Sequence, residues 1–139
     1  MRQARKTLII ATQGQALIDI TAEVMRFVED SAIGEGLLTL FVKHTSASLL
    51  VQENADGDVA RDLVSFMHKL VPRSADGYRH RAEGPDDMPA HIRSALTLTS
   101  LGIPIAESTL QLGLWQAIYL FEHRDGAHQR QIALHIIGD

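Results

Sequence analysis

The chain has 139 residues, 45% hydrophobic but only 5% aromatic, with no cysteine and a formal net charge of −4. That length suits one domain spanning 1–139, with a core built mainly from Leu, Ile, Val and Ala. The missing cysteines exclude a disulfide framework, thiolate metal ligands and a cysteine nucleophile. There is no Lys/Arg block of the kind a nucleic-acid reader shows, and no apolar run reaches the roughly 18 residues needed to cross a bilayer. The basic start Met1-Arg2-Gln3-Ala4-Arg5-Lys6 is followed by an apolar stretch that Thr12, Gln13 and Gly14 cut short, unlike a signal peptide. We therefore expect a cytoplasmic protein that binds neither nucleic acid nor membrane.

Thr7 to Thr12 is a short β-type run, Gln13-Gly14-Gln15 a turn, and Ala16 to Ile20 a second strand. Thr21 is placed to cap a helix through its hydroxyl. Val24, Phe27 and Val28 follow on one helical face, and Gly34 and Gly36 are expected to end that helix. Leu37 to Val42 is almost continuously apolar, which suggests a strand buried on both faces. His44-Thr45-Ser46-Ala47-Ser48 leads into a strand at Leu49-Leu50-Val51. Acidic residues at 53–58 suit the positive end of a helix, whose apolar stripe is Val59, Leu63, Phe66, Met67 and Leu70 and which Pro72 stops.

A long loop then runs through Gly84 and Pro85. Asp86 or Asp87 can cap a third helix, with Pro89 tolerated in its first turn. Leu101 to Ala106 is strand-like, Glu107-Ser108-Thr109 turns into Leu110 to Leu112, and Leu114 to Glu122 alternates. Asp125-Gly126 fits a hairpin connection to a last strand, Gln129 to Ile137. Hairpin-like neighbours outnumber βαβ crossovers. The fold class is α+β, with a mostly antiparallel sheet or two-sheet core and about three helices.

Four constellations carry chemistry. His44, Thr45 and Ser46 combine an imidazole with hydroxyls that can donate to phosphate oxygens. Asn54, Asp56 and Asp58 look like the start of a calcium loop, but Val59 and Ser65 stand where its glycine and glutamate belong. This leaves helix capping, or a magnesium ion held partly through water. His80, Glu83, Asp87 and His91 have the spacing H-x2-E-x3-D-x3-H, which matches no zinc signature, yet imidazoles and carboxylates are common catalytic-zinc ligands. Asp87 and His91, four apart, can share a helix face, and His44 joining His80 and His91 would make a three-histidine metal site. Finally, Trp115 lies near Gln111 and beside Gln116, so an indole with nearby amides can stack on and orient a flat ring.

These residues resemble a known family. His44-Thr45-Ser46-Ala47-Ser48, Asn54-Ala55-Asp56, Tyr78-x-His80-x-x-Glu83-Gly84, Pro89-Ala90-His91-Ile92, Ile103-Pro104-Ile105 and Gly113-x-Trp115-Gln116 are similar, in that order, to motifs of the YjbQ-type proteins. These form an uncharacterised protein family also labelled secondary thiamine-phosphate synthases. Ser108 stands where the family usually has glycine, and Leu114 where it has threonine.

The resemblance implies an α+β fold with a β-sandwich-like core, a homotrimer, and a polar pocket shared between subunits. The implied activity is a transferase reaction in which an aminopyrimidine diphosphate joins a thiazole phosphate and pyrophosphate departs. On that reading Thr45, Ser46 and Asn54 hold the phosphorylated small molecule, and Asp56 helps bind a divalent metal, magnesium or zinc. His44, His80 and Glu83 handle protons, and Gln111, Trp115 and Gln116 position the ring. The alternatives are a metal-dependent hydrolase built on His44, His80 and His91, and a non-enzymatic trimer that binds a phosphorylated metabolite.

Overall fold

A computed structural model describes residues 1–139. The elements are β1 (Arg2–Gln13), β2 (Ala16–Asp19), α1 (Thr21–Ser31), β3 (Gly36–Val42), β4 (Ala47–Glu53), α2 (Gly57–Leu70), α3 (Asp87–Leu96), β5 (Ser100–Ala106), β6 (Thr109–Leu110), β7 (Gln116–Glu122) and β8 (Ala127–Gly138). The strands form two antiparallel sheets, ordered β1-β8-β3-β5-β6 and β2-β7-β4. The α+β reading with three helices therefore stands. No helix is long and apolar enough to cross a membrane.

Two bent ribbons set the frame. β1 pairs with β8 from Arg2↔Gly138 to Gln13↔Ala127, and β2 pairs with β7. The two ribbons meet at one corner, where the chain crosses between sheets at 13–15 (β1 to β2) and at 123–126 (β7 to β8) and the Gly14 N–H donates to the Gly126 carbonyl. The inner faces of both sheets and the α1 stripe Val24, Phe27 and Val28 enclose one core, including Leu38, Leu40, Leu49, Ile118, Leu120, Ile132, Leu134 and Ile136.

Some sequence expectations change. The Thr21 hydroxyl caps nothing: Ile20 holds the N-cap position without a side-chain bond, and the Thr21 oxygen instead accepts from the Ile118 N–H. α1 ends at Ala32 in the left-handed region, before either glycine. β3 is buried on one face only. Leu38, Leu40 and Val42 point into the core while Leu37 and Phe41 stay exposed, because the chain has no layer outside this sheet. Of the α2 stripe only Met67 is buried, and Phe66 and Leu70 are exposed. Glu107 and Ser108 both sit at positive φ, 52° and 58°. A glycine at 108 would adopt that conformation without the Cβ penalty.

The corner encloses polar groups. Glu122 and Arg130 are 0% and 2% exposed. The Glu122 carboxylate accepts from Arg130 Nε (2.8 Å) and Nη2 (2.6 Å), Thr12 Oγ1 (2.6 Å) and the N–H groups of His123 (3.0 Å) and Arg124 (3.2 Å). His123 is fully buried, stacked on Phe121 at 4.4 Å, with Nε2 2.8 Å from Ser48 Oγ. Burial, then the nearby Arg93 charge, push its pKa down to about 3.

Removing a buried charge from a pair leaves the other uncompensated, at a cost of about 3–5 kcal/mol. Glu122→Gln should therefore lose about 3 kcal/mol or more in urea unfolding, and Glu122→Gln combined with Arg130→Met should recover part of it. His123 stays neutral in the fold but takes a proton in the unfolded chain below about 6.5. Stability should thus be intact above pH 6.5 and fall on acidification toward pH 4.5, by up to about 1.4 kcal/mol per pH unit from this residue. The unfolding free energy of His123→Gln, measured over the same range, should show a flatter slope.

Candidate metal centre and adjoining cleft

The loop between α2 and α3 meets the corner. Gly84 turns it at φ +105°, where a Cβ would come within 3.2 Å of Asp86 Oδ1. Asp86 holds the N-cap position of α3, but its carboxylate does not cap the helix. It accepts from Arg124 Nε (2.8 Å) and the Asp125 N–H (3.0 Å), which docks the start of α3 on the corner. Asp87 and His91 then fall on one helix face, as their spacing requires.

Asp87 is the hub, 2% exposed. Its Oδ1 pairs with Arg124 Nη1 at 3.0 Å. Its Oδ2 lies 2.6 Å from His80 Nε2 and 3.2 Å from His91 Nε2, and His80 Nε2 is 3.2 Å from Glu83 Oε2. One ligand atom each from His80, Glu83, Asp87 and His91 lies within 4.8 Å of the others. Donor atoms around a tetrahedral ion of zinc's size stand about 3.4 Å apart. The two 3.2 Å separations are close to that, and the 2.6 Å one is a hydrogen bond that a proton holds.

The ring of His91 is oriented from behind. Its Nδ1 lies 3.0 Å from the Thr45 carbonyl, which can only accept. A proton therefore belongs on Nδ1, and Nε2 is the nitrogen that faces the carboxylates. A carbonyl behind an imidazole is the usual support for a metal-ligating histidine.

The charges agree with this arrangement. Burial works against ionisation of Asp87, but hydrogen bonds with Glu83 and His80 and the charges of His91 and Arg124 hold its pKa below the ordinary carboxylate value. Asp86 is likewise held low, its burial outweighed by Arg124 and the Asp125 N–H. The hydrogen bond to Asp87 raises the His80 pKa.

His91 also lines an open cleft of about 590 Å³ with Lys43, His44, Thr45, Ser94 and Thr99. A groove of about 620 Å³ between β2 and α2 contains none of the four donors. In the first cleft, His44 Nδ1 accepts from the Ser46 N–H at 3.1 Å and lies 3.0 Å from Ser46 Oγ. Ser46 is 1% exposed, and its oxygen also accepts from Arg130 Nη2 at 3.1 Å. The Ser46 hydroxyl is thus engaged inside the protein rather than offered to a phosphate, while Thr45 is exposed at the cleft.

The expected site residues separate into two groups. His80, Glu83 and His91 converge, and Asp87 joins them. His44 shares the cleft with His91 but is outside the four-donor cluster. Asp56 is the N-cap of α2, its carboxylate accepting from the Asp58 N–H at 2.9 Å. Asn54 donates its N–H to the Trp115 carbonyl, Gln116 Oε1 accepts from the Gly113 N–H, and the Gln111 amide donates to the carbonyls of Ala106 and Thr109. The β4–β7 ladder runs from Ala47↔Glu122 to Glu53↔Gln116. Asn54, Trp115 and Gln116 therefore lie at one end of it and the His44 turn at the other, roughly 20 Å apart at the usual strand rise. Within one chain they do not line one hollow. Arg124, Arg130, Glu122 and His123 carried no functional signal in the sequence, beyond Glu122 being a charge at the end of an apolar run.

The family model described as UPF0047 protein YjbQ-like matches residues 6–139. A UPF0047 protein of Synechocystis is 51% identical over 138 residues, covering 99% of this chain and 94% of the relative. The UPF0047 protein YjbQ of Escherichia coli O157:H7 is 38% identical over 136 residues, covering 97% and 98%. Among solved structures, an uncharacterised YjbQ/UPF0047 protein from Clostridium acetobutylicum superposes with a TM-score of 0.84 at 36% identity, covering 96% of this chain and 99% of that one. A protein of unknown function from Sulfolobus solfataricus, at 23% identity and a TM-score of 0.86 over 99% and 100%, has the same fold.

Proposed function

The chain belongs to the UPF0047, YjbQ-like family, and from the geometry of its site we propose an enzyme that uses a divalent metal ion to act on a phosphorylated small molecule. The observation that carries this is the convergence of four donor atoms within 4.8 Å beside an open cleft. Two imidazoles favour a zinc-class ion over magnesium, which prefers oxygen. Such an ion would neutralise charge developing on a departing pyrophosphate or phosphate.

The chain's own residues do the rest. Arg124 holds Asp87 so that Oδ2 faces the donors, and the Thr45 carbonyl holds the His91 ring. His80 would supply the second imidazole, and the proton that its Nε2 shares with Asp87 would leave when an ion takes that nitrogen. Lys43, Thr45 and Thr99 offer a cation and hydroxyls to phosphate oxygens. The finer reaction we propose is the thiamine-phosphate synthase type, an aminopyrimidine diphosphate joining a thiazole phosphate. A hydrolase is the second reading, favoured by a set of two histidines and a carboxylate, which is also that of water-activating zinc sites.

Assembly belongs to the same reading. On β8, β3 and β5 the outward positions include Leu37, Thr39, Phe41, Gly102, Pro104, Ala133, His135 and Ile137. The outward positions of these three strands hold no Asp, Glu, Lys or Arg, and Phe41 joins this face to the cleft. An uncharged sheet face of this kind fits burial against other copies in a homotrimer. If Trp115, Gln116 and Asn54 share the cluster's pocket, they would have to come from a neighbouring subunit, since in their own chain they lie a strand length away.

Purified protein should carry about one zinc-class ion per chain by elemental analysis, and His91→Ala or Asp87→Asn should lose it. Arg124→Ala should weaken binding by about 10–100-fold. Pyrophosphate release that needs both the diphosphate and the thiazole phosphate supports the synthase, whereas phosphate release without the thiazole supports the hydrolase. A chain that takes up no divalent ion refutes both. Light scattering should give three times the 15.3 kDa chain mass, and Phe41→Glu should shift it to the monomer. A monomeric wild type would overturn the shared-site reading.

A further inference from the structure

The His44 turn is wired to the buried ion pair, and that wiring determines where the histidine carries its proton. The Ser46 backbone N–H can only donate, and it is aimed at His44 Nδ1 at 3.1 Å. Nδ1 is therefore an acceptor. Arg130 Nη2 also can only donate, and it occupies one lone pair of Ser46 Oγ at 3.1 Å. The Ser46 hydroxyl proton is then free to point at His44 Nδ1, 3.0 Å away. Arg130 is fixed in turn by two hydrogen bonds to Glu122. Arg130, Ser46 and Glu122 are each at most 2% exposed, so water cannot rearrange the chain.

We propose that Glu122, Arg130 and Ser46 are positioning residues that fix His44 as the neutral Nε2–H tautomer, so that it presents one N–H donor to an anionic oxygen of the ligand in the cleft. This rests on the phosphorylated-ligand reading above for the identity of the ligand, but not for the tautomer. His44 lines the cleft with Lys43 and Thr45. Its Nδ1 edge is turned to Ser46, which leaves Nε2 on the opposite edge of the ring, where no protein group bonds it. A histidine held this way is neither a base nor a metal ligand through Nε2, because that nitrogen already bears the proton. This accounts for His44 standing outside the four-donor cluster. Burial and the nearby Arg130 charge also lower its pKa, which keeps the ring neutral at the pH where the donor is needed.

The test is long-range 1H–15N correlation of the histidine rings in the full chain, with the His44 signals assigned by their absence in His44→Gln. The expected spectrum shows His44 as the neutral Nε2–H tautomer; Ser46→Ala keeps the backbone N–H at Nδ1 but loses the hydroxyl that reinforces it, so a minor Nδ1–H population should appear. Titration with inorganic phosphate as probe should move the His44 Nε2 signal. His44→Ala should weaken phosphate binding about tenfold, the scale of one hydrogen bond to an anion, while His44→Gln, whose amide donor falls near Nε2, should stay within about threefold of wild type. A wild-type ring found as Nδ1–H, or His44→Gln as poor as His44→Ala, overturns the proposal. If Ser46→Ala does not fold, the wild-type spectrum alone decides. Zinc uptake is measured separately, so loss of the metal reading leaves this result interpretable.

Discussion

The structure depends on one interaction, the Glu122–Arg130 pair sealed inside the corner where the chain twice crosses between sheets. Taking two charges out of water costs several kcal/mol per ion unless every lone pair and N–H finds a partner. Here the carboxylate accepts five hydrogen bonds, two of them from Arg130. Two arms leave this point. One runs from Arg130 through Ser46 to His44. The other is the backbone at His123 and Arg124, pinned by Glu122, from which the Arg124 side chain reaches Asp86 and Asp87. An apolar pair of similar volume could hold the sheets together as well. It could not aim two polar arms at one edge of the protein.

Much of this was legible along the chain. Gln129 to Ile137 alternates, and its inward set Ile132, Leu134 and Ile136 is in the core. The convergence of Asp87 and His91 was readable because four residues make one helical turn. His80 and Glu83 were readable because a loop with Gly84 and Pro85 cannot carry them far away. Both are local facts, in which sequence separation and distance in space are tied by short-range geometry.

What was not legible is long-range. Nothing in one dimension says that Arg124, 37 positions after Asp87, grips its carboxylate. Nor does a strand reading as apolar announce that Glu122 and His123 at its end are buried. Motif order likewise says nothing of whether His44, Asn54 and Trp115 meet within one chain. The antiparallel β4–β7 pairing puts Asn54 beside Trp115 but keeps both a full strand length from His44. The run Leu37 to Val42 misled for a related reason. Its pattern said that both faces avoid water, whereas a single chain supplies material to cover only one.

The charge balance around Asp87 adds an argument independent of donor distances. Glu83, Asp86 and Asp87 bring three carboxylates to the start of α3, and Arg124 is the guanidinium that pairs with Asp86 and Asp87, meeting Glu83 only at its backbone carbonyl. The three carboxylates thus outnumber the guanidinium by two, and one of them, Asp87, is almost fully buried. Without a metal, His80 answers that excess, its pKa raised by the hydrogen bond to Asp87. His91 faces the carboxylates with Nε2, since Nδ1 is committed to the Thr45 carbonyl. A proton shared between His80 and Asp87 and a divalent cation among the four donors are thus alternative answers to one electrostatic problem. The cation would find the His91 ring already turned by the Thr45 carbonyl to present Nε2.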